Sequence, residues 1–110
     1  MSDTVKLPII DESLLDLFRG SGRCHYCNKW CRRLEPHHLV KRGAGGWSRV
    51  DRPRNLIALG SAFDCGCHHN AENGKHPTYS DCLAIVAQRE GVLQQTIIDE
   101  INELLWKRHG

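Results

Sequence analysis

Hydrophobic side chains recur at helical spacing near the end of the chain. Within residues 93–109 they fall on one face of an amphipathic helix: Leu93, Ile97, Ile101, Leu104 and Leu105. The segment before it begins at a candidate N-cap, Ser80, stops at Gly91 and predicts a second helix. We expect these two helices to form a C-terminal extension, about residues 80–109, that packs on the core.

Short apolar runs earlier in the chain predict strands. LEPHHLV, at 34–40, and NLIAL, at 55–59, suit two strands of a hairpin, and the loop 41–54 between them is rich in glycine and charge. An acidic cap at the start of 11–19 predicts an N-terminal helix, and CHHNAENG predicts a short helix ended by Gly74. The expected fold class is therefore α+β.

The length of the chain, 110 residues, is that of one domain, and we assign residues 1–110 to a single domain. A domain of this size buries only a modest core and often needs a staple such as a metal. No stretch is long and apolar enough to cross a membrane, and the first residues, MSDTVKLPII, contain no visible signal peptide. We therefore expect a cytoplasmic location and no membrane partner.

The six cysteines are too few for a disulfide-dense secreted scaffold, and clustered cysteines in a reducing compartment more often bind metal. Residues 20–33 are rich in glycine, cysteine and basic residues, and we expect a knuckle-like loop there instead of a periodic element. This loop contains Cys24 and Cys27 at CxxC spacing, and Cys65 and Cys67 form a second close pair. Four sulfurs from two turns would complete a closed structural Zn²⁺ site.

Two questions about the cysteines stay open at the level of sequence. One residue instead of two separates the members of the second pair, so Cys31 is an alternative to Cys65 as the fourth ligand. A redox pair is the alternative interpretation of Cys24 and Cys27. Cys82 falls on the apolar face of a predicted helix, where we expect a buried small hydrophobe.

The net charge is only +2, but the charges are distributed unevenly. Between residues 19 and 54 ten lysines and arginines face two acidic residues, Glu35 and Asp51, which gives this block a net charge of +8. A block of one sign favours a polyanionic partner, and nucleic acid is the first candidate.

The basic block also contains a histidine pair, His37-His38, followed by the turn KRGAGG. Downstream, His68 and Glu72 are four residues apart in the predicted short helix. They therefore lie on one face and could bind one cation. At an irregular strand end His37 could bind the same cation while His38 points at a substrate.

The order of these motifs resembles the HNH endonucleases of the ββα-metal class, in the zinc-containing branch common among phage and bacterial proteins. The order is CxxC, then HH with a basic glycine-rich turn, then NL, then Cys-His, over roughly residues 24–76. The resemblance implies a small ββα-metal core with a structural zinc site, flanked by an N-terminal helix and two C-terminal helices.

The resemblance also implies roles for individual residues. His37 and His68 match the metal ligands, and His38 matches the general base that takes a proton from the attacking water. Asn55 matches the residue that fixes the hairpin loop and orients the base. Three basic residues would hold the flanking phosphates: Lys41, Arg42 and Arg54.

Two positions depart from the family pattern. Glu72 stands where the family usually has histidine or asparagine, and a carboxylate ligand shifts preference toward harder ions such as Mg²⁺ or Mn²⁺, whereas histidines alone favour softer ones. His76, beyond the expected end of the helix, is the alternative ligand. The family also carries a cysteine soon after the second strand, where this chain has Gly60 and a short insertion. That second departure leaves the zinc geometry open.

The sequence thus predicts metal-dependent hydrolysis of DNA phosphodiester bonds, in a bacterial host or phage-infected cell. Its cofactors would be a structural Zn²⁺ and one active-site Mg²⁺, Mn²⁺ or Ni²⁺. The alternative is a non-catalytic, zinc-stapled DNA-binding module with a degenerate HNH site, which Glu72 and the basic block favour. A third interpretation is an adaptor whose C-terminal helices bind a protein partner.

Overall fold

The computed structural model describes residues 7–41 and 48–107. These two ranges contain a three-stranded antiparallel sheet and four helices, so the predicted α+β class is confirmed. The elements in chain order are α1 (Glu12–Asp16), β1 (Gly20–Arg23), β2 (Trp30–His38), β3 (Leu56–Gly60), α2 (Cys67–Glu72), α3 (Tyr79–Glu90) and α4 (Gln94–Lys107). None of the helices within these ranges is long and apolar enough to span a membrane.

The sheet has the order β1–β2–β3 and both of its strand pairs are antiparallel. Strands β2 and β3 form the predicted hairpin, with Pro36 opposite Ala58 and His38 opposite Leu56. This register places the histidine pair at the end of β2, next to the loop that connects the two strands. Strand β2 is nine residues long because it begins at Trp30, earlier than the apolar run predicted.

The prediction of a loop throughout residues 20–33 is wrong at both ends of that segment. Gly20–Arg23 forms β1, and its Arg23 lies opposite Trp30 of β2. The strand reads GSGR and has no alternating apolar positions, so it carries none of the periodicity from which strands are predicted. Pairing with β2 defines it instead, and the knuckle-like turn is confined to residues 24–29.

Two short helices agree closely with prediction. Asp11 caps α1 because its carboxylate accepts a hydrogen bond from the backbone N–H of Leu14, although the helix ends at Asp16, before the predicted boundary. Helix α2 coincides with the predicted short helix, and Gly74 follows it with a positive φ of 72°.

Helix α3 begins at Tyr79, before its expected cap, Ser80. The N-cap is Thr78, whose Oγ1 accepts from the backbone N–H of Asp81 at 3.2 Å, while the Asp81 carboxylate accepts from the Thr78 N–H at 2.9 Å. Such a reciprocal cap needs an acidic or amide residue three positions later, which Thr78 has and Ser80 lacks. The helix ends at Gly91 as predicted.

Helix α4 buries the middle of its predicted apolar face. Ile97 and Ile101 are buried, and Leu104 and Leu105 are partly buried against the core. Leu93 precedes the first residue of the helix and is 75% exposed, so its assignment to the buried face was wrong. Residues 108–110, where the predicted extension ends, lie outside the described residues.

Strand β3 runs through the core, and all five of its residues are buried. Helices α2 and α3 pack against it. The turn between β1 and β2 also bonds to this strand, because the His25 N–H donates to the Ala58 carbonyl and the Ala58 N–H donates to His25 Nδ1. Burial and the charge of Arg89 lower the pKa of His25, which favours the neutral ring that accepts this bond.

Candidate metal centres and the histidine cleft

Two turns bring four cysteines together at one end of the sheet. Cys24 and Cys27 lie in the turn between β1 and β2, Cys65 lies between β3 and α2, and Cys67 is the first residue of α2. The four Sγ atoms lie within 4.8 Å of one another, and all six cysteines of the chain are free of disulfides. Four sulfurs this close, from two turns, could hold a metal ion such as zinc.

The electrostatics of this cysteine cluster fit a cation. Burial raises the pKa of the Cys24 thiol, but hydrogen bonds from the backbone of Cys27 and Gly60 outweigh it and lower the pKa overall. Burial raises the pKa of Cys27, and burial together with the neighbouring Cys65 raises that of Cys67. A cation among the sulfurs would offset the cost of ionising several thiols in one buried place.

Cys65, and not its alternative Cys31, belongs to the group of four. The Cys31 Sγ lies 3.7 Å from the Cys65 Sγ and donates a hydrogen bond to the Lys29 carbonyl at 3.5 Å. Cys31 is not one of the four cysteines whose Sγ atoms lie within 4.8 Å of one another. The Asp64 carboxylate anchors the insertion that carries Cys65, because it accepts hydrogen bonds from the backbone N–H groups of Arg32 and Arg33.

Gly60, the last residue of β3, lies against the cysteine cluster. A Cβ at this position would lie 2.3 Å from the Cys65 Sγ and 2.5 Å from the Cys31 Sγ. The sulfur of Cys65 therefore reaches the space that a side chain at position 60 would fill. The segment between β3 and α2 returns the chain to the cluster, and Gly66, with a φ of 77°, makes the turn into α2.

A second group of potential ligands lies in a separate cleft of about 400 Å³. Helix α1, the start of β1, the end of β2 and helix α2 supply its walls. Its polar lining consists of Arg19, Arg33, Glu35, His37, His38, Lys41, His68 and Glu72. The cleft therefore contains both histidines of the HH pair and both members of the predicted His68–Glu72 pair.

Three donor atoms meet inside this cleft. One ring nitrogen each of His37 and His68 and a carboxylate oxygen of Glu72 lie within 4.8 Å of one another. Glu72 Oε1 is 3.4 Å from His37 Nδ1 and 3.1 Å from His68 Nε2. His37 Nδ1 is buried and makes no hydrogen bond within the described part of the chain, which is the condition expected of an atom that binds a cation.

Glu35 fixes the orientation of one of these ligands. Its Oε1 lies 2.8 Å from Nδ1 of His68, so an ionised Glu35 accepts a hydrogen bond from Nδ1–H, and in a neutral ring the lone pair is then on Nε2. Burial lowers the pKa of His37, which favours its neutral form, the form that can bind a metal. The three donors then present lone pairs to one another, an arrangement that a divalent cation would satisfy.

Replacing Glu35 by glutamine is expected to weaken divalent-metal binding in the cleft by roughly 10- to 100-fold, because the amide no longer fixes the His68 tautomer. Isothermal titration with Ni²⁺ or Mn²⁺, on protein whose cysteine cluster is already loaded with zinc, measures this affinity. Arg33→Gln is the matched control, since Arg33 is exposed and contacts the other carboxylate oxygen of Glu35 at 3.3 Å. Equal affinities for the two variants would contradict the orienting role.

The predicted base and the predicted loop residue occupy different places. His38 lines the cleft, is only 9% exposed, and its Nε2 lies 2.7 Å from Oδ1 of Asp51. Asn55 is fully buried and does not contact His38 through its side chain: its Oδ1 accepts from the Val40 N–H and its Nδ2 donates to the Val50 carbonyl, both at 2.9 Å. Asn55 thus ties together the two ends of the hairpin loop.

The predicted phosphate-binding residues are separated. Lys41 lines the cleft together with Arg19 and Arg33. Arg54 instead lines a second cleft beside α4, where it pairs with Glu90 and Glu100.

Two further predicted positions remain. Arg42, the third predicted phosphate contact, lies outside the described residues. His76, the alternative metal ligand, is exposed and pairs with Asp81 at 2.9 Å.

Two site residues escaped prediction, although the sequence held a signal for both. Glu35 and Asp51 are the only acidic residues between Arg19 and Arg54, and each contacts a histidine ring nitrogen in the structure. In a block with such a large excess of positive charge, an isolated carboxylate indicates a specific partner, here a histidine ring.

Comparison with known proteins adds no assignment, since no family model, no curated protein and no solved structure matches this chain.

Proposed function

We propose that the chain is a metal-dependent HNH endonuclease that hydrolyses phosphodiester bonds of DNA. One observation carries the proposal: the donor atoms of His37, His68 and Glu72 face one another in the cleft that His38 also lines. A β-hairpin followed by a short helix supplies all four residues, which is the order of elements in a ββα-metal core.

In this proposal His37, His68 and Glu72 hold one divalent cation, which when bound stabilises the negative charge that develops on the phosphate. His38 takes a proton from a water molecule as the water oxygen bonds to phosphorus. The bond between phosphorus and the leaving sugar oxygen breaks, and that oxygen is protonated by solvent. Glu72 adds a negative charge and a hard oxygen to the ligand set, which favours Mg²⁺ or Mn²⁺.

The same proposal gives the basic residues around the cleft a part in DNA binding. Lys41, Arg19 and Arg33 would contact phosphates on either side of the reacting one, and such contacts position a duplex without reading its sequence. Arg54 has no part in this, because its pairing with two glutamates on the α3–α4 side neutralises it. The cysteine cluster would hold a structural Zn²⁺ that keeps α2 in place against the hairpin.

A supercoiled-plasmid assay tests the proposed activity. Purified zinc-loaded protein is incubated with plasmid in EDTA, Mg²⁺, Mn²⁺ or Ni²⁺, and the open-circular form is quantified on gels. We expect nicking with at least one of these ions and none in EDTA. The nicking activity should elute from a size-exclusion column in the same fractions as the protein.

Fluorescence anisotropy on a labelled duplex, over a series of salt concentrations, separates this proposal from its alternative. DNA binding that weakens steeply with salt, without nicking in any ion, would replace the nuclease by a non-catalytic DNA-binding module. Absence of both binding and nicking in folded protein would remove DNA as the partner.

A further inference from the structure

The Asp51 carboxylate is buried against the ring of His38. Asp51 is 1% exposed, and its Oδ1 lies 2.7 Å from His38 Nε2 across the hairpin loop. The two residues are 13 positions apart, so the loop fold, and not local sequence, creates the contact. An acidic side chain withdrawn so completely from water requires partners that stabilise its charge.

Three segments hold this carboxylate in one orientation. The Arg49 guanidinium donates to both of its oxygens, at 2.7 to 3.0 Å, and also contacts Glu12 of α1 at 2.9 Å. The backbone N–H of Asp11 donates to Oδ2 at 2.8 Å. Burial raises the pKa of Asp51, but the hydrogen bonds from Arg49 and His38 outweigh it and lower the pKa to about 2.

An ionised carboxylate only accepts hydrogen bonds, so its contact with His38 requires a proton on Nε2. In a neutral imidazole the other nitrogen, Nδ1, is then the basic one. The same carboxylate stabilises the positive charge that the ring gains when it takes a proton. Asn55 cannot do this, since its side chain bonds to backbone groups of Val40 and Val50.

We propose that Asp51 is the positioning residue of His38: it fixes the ring in the Nε2–H tautomer, so that Nδ1 is the nitrogen that takes the proton from water. The inference rests on the proposed function for its catalytic consequence, while the tautomer itself is a property of the folded chain. Arg49 and the start of α1 hold Asp51 in place, which makes the N-terminal segment a support of the site.

Long-range ¹H–¹⁵N correlation spectra of uniformly labelled protein report the tautomer of each histidine ring directly. Above about pH 8, where an ordinary imidazole is neutral, we expect wild-type His38 to show a protonated Nε2 and an unprotonated Nδ1. In Asp51→Asn we expect a mixture of tautomers, together with nicking slowed by up to about 10,000-fold at unchanged DNA affinity.

Arg49→Gln is the matched control, because it removes the main partner of Asp51 but leaves the carboxylate on the ring. We expect it to lower the melting temperature while the Nε2–H tautomer persists. A protonated Nδ1 in wild-type His38 would overturn the proposal, and so would an Asp51→Asn variant with unchanged tautomer and rate. If Asp51→Asn does not fold, the wild-type spectrum decides. A wild type with the Nε2–H form but no nicking would refute the nuclease and leave the Asp51–His38 assignment standing.

Discussion

Replacing His38 by alanine is expected to slow metal-dependent nicking by about 100- to 10,000-fold, the usual contribution of a general base. The proposed proton acceptor is then missing, while the metal ligands and the basic rim are unchanged. Plasmid nicking under single-turnover conditions measures the loss, and anisotropy on the same DNA shows whether binding survives. The expected pattern is a reduced rate at nearly unchanged affinity, because His38 acts on the transition state more than on bound DNA.

His69→Ala is the matched control for this variant, since His69 lies on α2 next to a ligand but is exposed. It should nick at the wild-type rate. His38→Ala also leaves the buried Asp51 without one of its partners, so melting curves must establish that the variant is folded. His38→Gln, which can still donate to Asp51, provides a second inactive variant with less disturbance. Nicking within a few-fold of wild type in either folded variant would place the base elsewhere.

The local spacings in the sequence predicted which residues come together in the cleft and in the cysteine cluster. His68 and Glu72 share one helix face because a four-residue spacing fixes that face wherever a helix forms. Cys24 and Cys27 likewise share a turn because they are separated by only two residues. In both cases the geometry is set within one element, and the periodicity of that element is readable without knowing the tertiary fold.

The contacts across the hairpin were not predictable in the same way. Glu35 meets His68 over 33 residues, and Asp51 meets His38 over 13. Neither pairing follows from a period, because only the tertiary fold brings these segments together. Arg54 is a further contact that its sequence neighbours do not reveal: its place in the basic block predicts phosphate binding, and in the structure it pairs with Glu100, 46 residues away.

Which cysteine is the fourth member of the cluster was likewise not predictable from the sequence. Cys31 and Cys65 both approach Gly60, and only the path of the segment between β3 and α2 decides which sulfur joins the group of four. The identity of β1 had no sequence signal at all, since backbone pairing to β2 defines it. The apolar run of β3, in contrast, predicted a strand, and all five of its residues are buried.

Removal of metal from the cysteine cluster is expected to unfold the domain, and this is the largest effect that the structure predicts. Structural zinc in small domains is worth about 10–16 kcal/mol of apparent binding free energy, whereas the whole stability of a small domain is about 5–15 kcal/mol. We expect Cys24→Ser, and the wild type treated with a strong chelator, to lose cooperative melting in circular dichroism. Mass spectrometry of the native protein should find one zinc per chain.

Cys82→Ala is the matched control for this loss, because Cys82 is as buried as Cys24 but lies outside the group of four. It should keep its zinc and a cooperative transition. Cys31→Ala and Cys65→Ala separate the two candidates for the fourth ligand: the Cys65 variant should lose zinc and the Cys31 variant should retain it. A Cys24→Ser protein that melts like the wild type would mean that burial of β3 alone holds the fold. The cluster would then need a role other than stability, and the redox interpretation of the CxxC pair would become the stronger one.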